Sequence, residues 1–197
     1  MDKVDIKTKF SGESVITELL HHKGARVGIP ISGTFELTAR CNFNCKMCYV
    51  HQQHPKEQEL TAAQWLAMGK EMADRGMVFL LLTGGEPFLR EDFPEIYLGL
   101  RRLGLMVSVN TNASLLNDEI LAAFRQAPPA RVNVTLYGGS EQTYSTLCAV
   151  CKASPCGRTV CGSVNSTAVE VLMHIKIEVY SVLFTKNSRF TIPFSFK

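Results

Sequence analysis

The sequence predicts an α/β protein: a parallel sheet curved into a barrel that stays partly open and is incomplete after its fourth strand. Three observations predict it. Strand-like and helix-like segments alternate four times between residues 34 and 137, the pattern of repeated βα units. Three of the strands carry a polar second face, whereas a closed eight-stranded barrel fills its interior with bulky branched side chains. Helical periodicity then fades beyond about residue 147, where a fourth helix is due.

Residues 1–33 read as a lead-in, with a short helix over 14–22 that sets Ile16, Leu19 and Leu20 on one face and closes at Gly24. His21 and His22 are adjacent, so they do not share a helix face and read as solvated rather than as a metal pair. The first strand, 34–39, sets Phe35, Leu37 and Ala39 against Thr34, Glu36 and Thr38. A helix opens at Thr61, which caps it, with Gln64 completing a capping box and Leu60 stapling onto Trp65. Trp65, Met68 and Met72 form its expected buried stripe, and Gly76 ends it.

The run 78–82 is continuously apolar, as a strand buried on both faces should be. It ends in Thr83-Gly84-Gly85-Glu86-Pro87. The next helix carries Phe93, Ile96, Tyr97, Leu100 and Leu103 on one face and stops at Gly104. In the third strand, 105–111, Leu105, Val107 and Val109 oppose Met106, Ser108 and Asn110. Asn117 caps a helix with Ile120, Leu121 and Phe124 inward, ended before Pro128 and Pro129. The fourth strand, 131–137, sets Val132, Val134 and Leu136 against Asn133, Thr135 and Tyr137. Parallel sheets rarely leave a face uncovered, so the polar set Thr34, Glu36, Thr38, Ser108, Asn110, Asn133 and Thr135 reads as an inner face lined for a polar ligand.

Residues 34–147 thus form a barrel core, and 148–197 a divergent tail. That tail carries six Lys or Arg and two acids, +4 in a chain of net charge +3. A strand is expected over 169–180, but 181–197 offers neither caps nor a helix. The change of character is the pattern that a truncated or frameshifted reading frame would give. The small net charge, with no basic run and no stacked aromatics, gives no sign of a nucleic-acid partner. The longest apolar run, 77–82, is too short to span a bilayer, and residues 1–10 lack the apolar core of a signal peptide. No membrane partner and a cytoplasmic location are expected.

The chemistry concentrates in Cys41-Asn42-Phe43-Asn44-Cys45-Lys46-Met47-Cys48, directly after the first strand. C-x3-C-x2-C spacing lets three thiolates converge from one loop. Iron–sulfur clusters are usually held by four thiolates, so three would leave one iron open to a ligand. Seven cysteines, clustered rather than dispersed, favour metal binding over disulfides here.

The run 35–49 resembles the cluster loop of radical S-adenosylmethionine enzymes. Gly84-Gly85-Glu86-Pro87 is similar to that superfamily's second motif, and Thr111-Asn112-Ala113 to the Thr-Asn-Gly often found after the third strand. The run 135–144 resembles the fourth strand and turn of the peptide- and protein-maturing branch. The likeness covers residues 30–148 in order, which is far more specific than any one motif.

The resemblance implies a partial (β/α)6 TIM-like barrel. It implies a [4Fe–4S] cluster bound by Cys41, Cys45 and Cys48, with S-adenosylmethionine chelating the open iron through its amino and carboxylate groups. Carbonyls of Gly84, Gly85 and Glu86, in the turn closed by Pro87, would accept hydrogen bonds from that amino group. Backbone near Met47 would read the adenine, and Asn110, Asn112 or Thr135 would face ribose and carboxylate. One electron, from a donor such as a flavodoxin or ferredoxin, would cleave the sulfonium bond to methionine and a 5′-deoxyadenosyl radical, which abstracts hydrogen from a peptide or protein substrate. Glu36 and Tyr137 are the inner-face candidates for a general acid or base. Two departures stand out: Met47 replaces the usual aromatic residue, and the adenine-contacting glycine motif expected after Gly139 is not found.

Other readings use the same residues. Cys148, Cys151, Cys156 and Cys161 make C-x2-C-x4-C-x4-C, enough ligands for an auxiliary cluster or zinc. Cys45 and Cys48 fit a thioredoxin-like redox pair, or with His51 and His54 a structural zinc site in a binding module. A remnant that binds a cluster without turning over is the remaining alternative, since an incomplete barrel exposes its interior to solvent.

Overall fold

The computed structural model describes residues 15–48, 50, 58–136, 146 and 148, and the backbone of 177–185 and 188–194. Helix α1 (Val15–Val27) leads into β1 (Ser32–Glu36), and α2 (Ala62–Asp74) into β2 (Phe79–Thr83). A 3₁₀ turn (Pro87–Leu89) and α3 (Phe93–Arg102) follow, then β3 (Met106–Thr111), α4 (Asp118–Gln126) and β4 (Arg131–Leu136). The last elements are β5 (Ile177–Thr185) and β6 (Ser188–Phe194). The strands form one sheet in chain order. β1 to β5 are parallel and β6 returns antiparallel. With β1 and β6 at its two ends, the sheet is open, a partial barrel.

Register follows from which residues face the helices. Phe35, Leu37, Leu80, Leu82, Val107, Val109 and Val132 are buried against Trp65, Phe93, Ile96, Tyr97, Leu100, Ile120 and Phe124. Pairing Leu80 with Val107 and Val109 with Val132 places this apolar set on one face, as a two-residue side-chain period requires. Phe88, Phe93, Tyr97 and Phe124 meet edge-on, except for Phe93 and Tyr97, which stack, each such pair adding about 1 kcal/mol beyond its buried area.

The caps are those the sequence specifies. Thr61 and Gln64 form a reciprocal capping box on α2, and the Asn117 side chain accepts from Ile120 N–H at 2.9 Å. Other expectations need correction. Met68 is exposed; the buried face of α2 runs through Ala62, Trp65 and Gly69, because α3 presses Leu100 where a Cβ on Gly69 would stand, 2.2 Å away. Helix α1 continues through Gly24 to Val27, leaves Ile16 and Leu19 exposed, and half-buries His21 with its ring 6.1 Å from Phe79. Strand β2 buries Leu80 and Leu82 fully but Phe79 and Leu81 only in part. Of the strand expected over 169–180, residues 169–176 lie outside the described residues; β5 runs from Ile177 on to Thr185, and β6 falls where no strand was expected. No described helix is long and apolar enough to cross a membrane.

The second sheet face is polar, as expected. Asn133 donates to Asn110 across β3 and β4 at 2.6 Å. Near the N-terminal ends of the strands, Ser32, Thr34, Leu81, Ser108, Arg131 and Asn133 contribute to a cavity of about 370 Å³.

Candidate cofactor site

At the opposite, C-terminal end of the sheet, the chain leaves β1 and runs into the cysteine loop beside the turn that leaves β2. Leu37 N–H donates to Thr83 O (2.9 Å), Gly85 N–H to Thr38 O (2.7 Å) and Glu86 N–H to Arg40 O (2.9 Å). Two backbones thus continue the β1–β2 ladder beyond the sheet, and the glycines make this possible. A Cβ on Gly84 would lie 2.3 Å from Thr38 O, and one on Gly85 would lie 2.3 Å from Arg40 O. Gly84 also has φ +148°, where a side chain is strained. The Gly-Gly pair therefore sets how closely the turn approaches the stem of the cysteine loop.

Glu86 is fully buried and its carboxylate is occupied by the protein itself. It accepts from Thr111 Oγ1 (2.7 Å), Asn112 N–H (2.7 Å) and Phe88 N–H (3.1 Å). Burial pushes its carboxyl above the usual range, although all three donors pull the other way. The Glu86 carbonyl accepts from Leu89 N–H at 3.1 Å. Pro87 begins the 3₁₀ turn.

Asn112 binds the cysteine loop directly. Its Nδ2 donates to Asn42 Oδ1 (3.0 Å), and Asn42 Nδ2 donates to Ser114 Oγ (2.7 Å). Ser114 returns two hydrogen bonds to Asn112 Oδ1. The cysteine loop, the Gly-Gly turn and the end of β3 are therefore one hydrogen-bonded unit. Asn110 and Thr135 are half-buried on the polar face further down β3 and β4. Glu36 is exposed at the end of β1, and Tyr137 lies outside the described residues.

The stem is pinned from behind by a buried cation. Arg90 donates to Leu37 O (3.0 Å) and Leu60 O (2.9 Å), and binds Asp92 in a two-pronged ion pair. Glu59 joins Arg40 at 3.0 Å and accepts from Thr38 Oγ1. Burial opposes its charge, yet the hydrogen bonds from Arg40 and Thr38 hold its carboxyl below the usual range. Neither Arg90 nor Glu59 was singled out from sequence.

Within the loop, Phe43, Cys45 and Cys148 are buried together, with Cys41 and Cys48 packed against them, and none of these cysteines is in a disulfide. Cys48 N–H donates to Cys45 O at 2.9 Å, turning the chain over Lys46 and Met47, and Met47 is exposed. Burial raises the Cys41 thiol, and burial together with Cys148 and Cys48 pushes Cys45 up to about 12. Among the described residues no three His, Cys, Asp or Glu side chains form a group that would hold a single ion. A four-iron cluster does not need one point of convergence, since each thiolate takes a different iron. Three thiols around one apolar patch, on a stem fixed on both sides, are a donor set suited to that cluster. His51 and His54, the other half of the zinc reading, and Cys151, Cys156 and Cys161 lie outside the described residues.

Residues 35–176 match the model of the Radical SAM superfamily. The chain belongs to that superfamily. The family's cofactors, S-adenosylmethionine and a [4Fe–4S] cluster, are those implied by the sequence motifs. The sporulation killing factor maturation protein SkfB of Bacillus subtilis is 29% identical over 136 residues, 68% of this chain and 33% of that protein. A probable GTP 3′,8-cyclase of Saccharolobus islandicus is 35% identical over 127 residues, 64% of this chain and 41% of that one. The chain thus spans between a third and about two-fifths of these relatives' length. In fold it is similar to Streptococcus suis SuiB bound to its precursor peptide SuiA, with a TM-score of 0.63 at 16% identity, over 94% of this chain and 42% of SuiB. This is a radical SAM enzyme fold with relatives among the peptide maturases.

Proposed function

We propose that this chain binds a [4Fe–4S] cluster through Cys41, Cys45 and Cys48 and S-adenosylmethionine beside it, and that the substrate modified is a peptide or protein. The observation that carries the reading is the pairing of the Gly84–Gly85–Glu86 turn with Thr38 and Arg40. It sets the stem of the cysteine loop alongside the turn whose carbonyls would receive the amino group of S-adenosylmethionine. Gly84, Gly85, Glu86 and Pro87 shape that turn, and Glu86 locks it to Thr111 and Asn112. Backbone at Met47 reads the adenine, while Asn110, Asn112 and Thr135 offer polar contacts to ribose and carboxylate.

When bound, the pair supplies reductive cleavage of the sulfonium bond, with the electron delivered by a flavodoxin- or ferredoxin-like donor in the cytosol. The protein's part is to hold both groups at the C-terminal strand ends and to limit water there. The peptide assignment follows the company of SkfB and of SuiB with SuiA.

Anaerobic reconstitution with iron and sulfide tests this. A brown protein that forms 5′-deoxyadenosine from S-adenosylmethionine under a strong reductant is expected, and Cys45→Ala should lose both colour and product. A colourless protein that retains zinc overturns the reading, and a brown one that forms no 5′-deoxyadenosine limits it to cluster binding.

A further inference from the structure

Cys148 comes from beyond β4, yet it is buried inside the cysteine loop. Its exposure is 0%, its backbone carbonyl accepts from Asn44 N–H at 3.0 Å, and its side chain is hydrogen-bonded with that of Cys45, which is the donor while it keeps its own proton. Phe43 is buried in the same cluster, with Cys41 and Cys48 packed against it. The carbonyl contact fixes the residue's position from the main chain, and once Cys45 ligates as a thiolate the only proton left between the two sulfurs is that of Cys148. Resting on the cluster reading above, we propose that Cys148 is a positioning residue that donates its S–H to the Cys45 sulfur and thereby raises the reduction potential of the cluster.

The reasoning is electrostatic. A reduced cluster carries one more negative charge, part of it on the ligating sulfurs. A donor aimed at one of those sulfurs stabilises the reduced state more than the oxidised state, and hydrogen bonds to sulfur are among the determinants of cluster potential. Solvent exposure is another, and it acts in the same direction as a donor. Full burial of Cys148 keeps water from that side of Cys45, so the thiol takes the place of solvent there with a single fixed donor. The sign of the change on removing it therefore separates the two effects. Loss of the donor lowers the potential, whereas admission of water raises it.

The experiment uses the full chain with its cluster reconstituted, comparing wild type with Cys148→Ala, Cys148→Val and Cys148→Ser. Potentials are read by EPR-monitored titration of the reduced cluster, with iron and sulfide content measured first. The expected result is equal cluster content, with Ala and Val shifting the one-electron equilibrium against a reference dye about tenfold toward the oxidised cluster, about 59 mV. Serine, which keeps a donor, should stay near wild type. Val supplies the test if Ala does not fold. An unchanged or raised potential in the apolar variants overturns the proposal. So does a wild-type EPR spectrum that S-adenosylmethionine alters only after Cys148 is replaced, because Cys148 would then be a fourth ligand. Absence of cluster from wild type itself would instead refute the reading on which the proposal rests, and the proposal with it.

Discussion

Glu86 accepts a 2.7 Å hydrogen bond from the Thr111 hydroxyl, and so ties the turn after β2 to the end of β3 inside the protein. Its other oxygen takes Asn112 N–H at 2.7 Å. In Glu86→Gln one oxygen can still serve Thr111 and Phe88, but the new amide then points a donor at the Asn112 N–H. A buried donor left facing a donor costs about 1–3 kcal/mol. Urea unfolding of the variant should show a loss in that range, and S-adenosylmethionine binding should weaken with it. A midpoint equal to wild type would mean that the buried carboxylate is dispensable.

The same residue predicts a pH dependence. Burial raises the Glu86 carboxyl above its ordinary value of 4.5, so between those two values the folded chain holds a proton that the unfolded chain has released. The Glu86 contribution to stability is therefore fully present below about pH 4.5 and is lost as pH rises through the raised folded value. Unfolding free energy of wild type should fall across that window relative to Glu86→Gln, which has no carboxyl to titrate. Parallel profiles for the two proteins would contradict the shift.

Gly85→Ala tests the close approach of the two backbones. The added Cβ would stand 2.3 Å from Arg40 O and 2.9 Å from Ala39 O, so one chain must move and the hydrogen bond from Gly85 N–H to Thr38 O lengthens. Forced overpacking of this kind costs about 1–3 kcal/mol. Cluster loading after reconstitution should drop as well, because the displaced partner is the stem of the cysteine loop. Wild-type iron content in a stable variant would show that the stem does not depend on this contact.

Much of this was legible in the sequence because it is local. The capping box at Thr61 and Gln64, the Asn117 cap and the alternation of β3 depend on neighbours within a turn or on a period of two. The C-x3-C-x2-C loop and the Gly-Gly turn were legible as motifs. What escaped depends on distant partners. Arg90 reaches back 53 residues to Leu37 O, and nothing in its flanking sequence marks it as buried. Met68 looked like core until Gly69 proved to be where α3 sits. Cys148 read as the first of four tail cysteines, and its packing on Cys45 needs the end of β4 to be placed first. Strand β6 has no turn or alternation strong enough to announce it, and its partner β5 supplies the ladder instead.

Arg90 carries a prediction of its own. Its guanidinium serves Leu37 O, Leu60 O and both Asp92 oxygens from one planar fork. Lysine keeps the charge but cannot reproduce that geometry. Arg90→Lys should lose about 2 kcal/mol, the cost of giving up one or two charge-assisted hydrogen bonds in a buried place. Chemical denaturation measures it, and a loss below a few tenths of a kcal/mol would show that the fork is not needed.

Ala113 predicts a gain rather than a loss. It stands third in Thr111-Asn112-Ala113 with φ +59°, the described non-glycine residue in the left-handed region. The neighbours hold it there: Ala113 N–H donates to Thr111 Oγ1 at 2.9 Å, and Ser114 N–H donates to Asn112 Oδ1 at 2.9 Å. A side chain in that region costs about 1–2 kcal/mol through the contact of Cβ with the following carbonyl. Glycine removes that contact but adds freedom to the unfolded chain, which gives back about 0.4–1 kcal/mol. Ala113→Gly should therefore stabilise the protein by about 0.5–1 kcal/mol, seen as a higher urea midpoint at unchanged slope. It should leave the Asn42–Asn112–Ser114 contacts, and hence the seating of the cysteine loop, as they are. A lower midpoint would show that Ala113 is relaxed in this turn and that its methyl contributes packing.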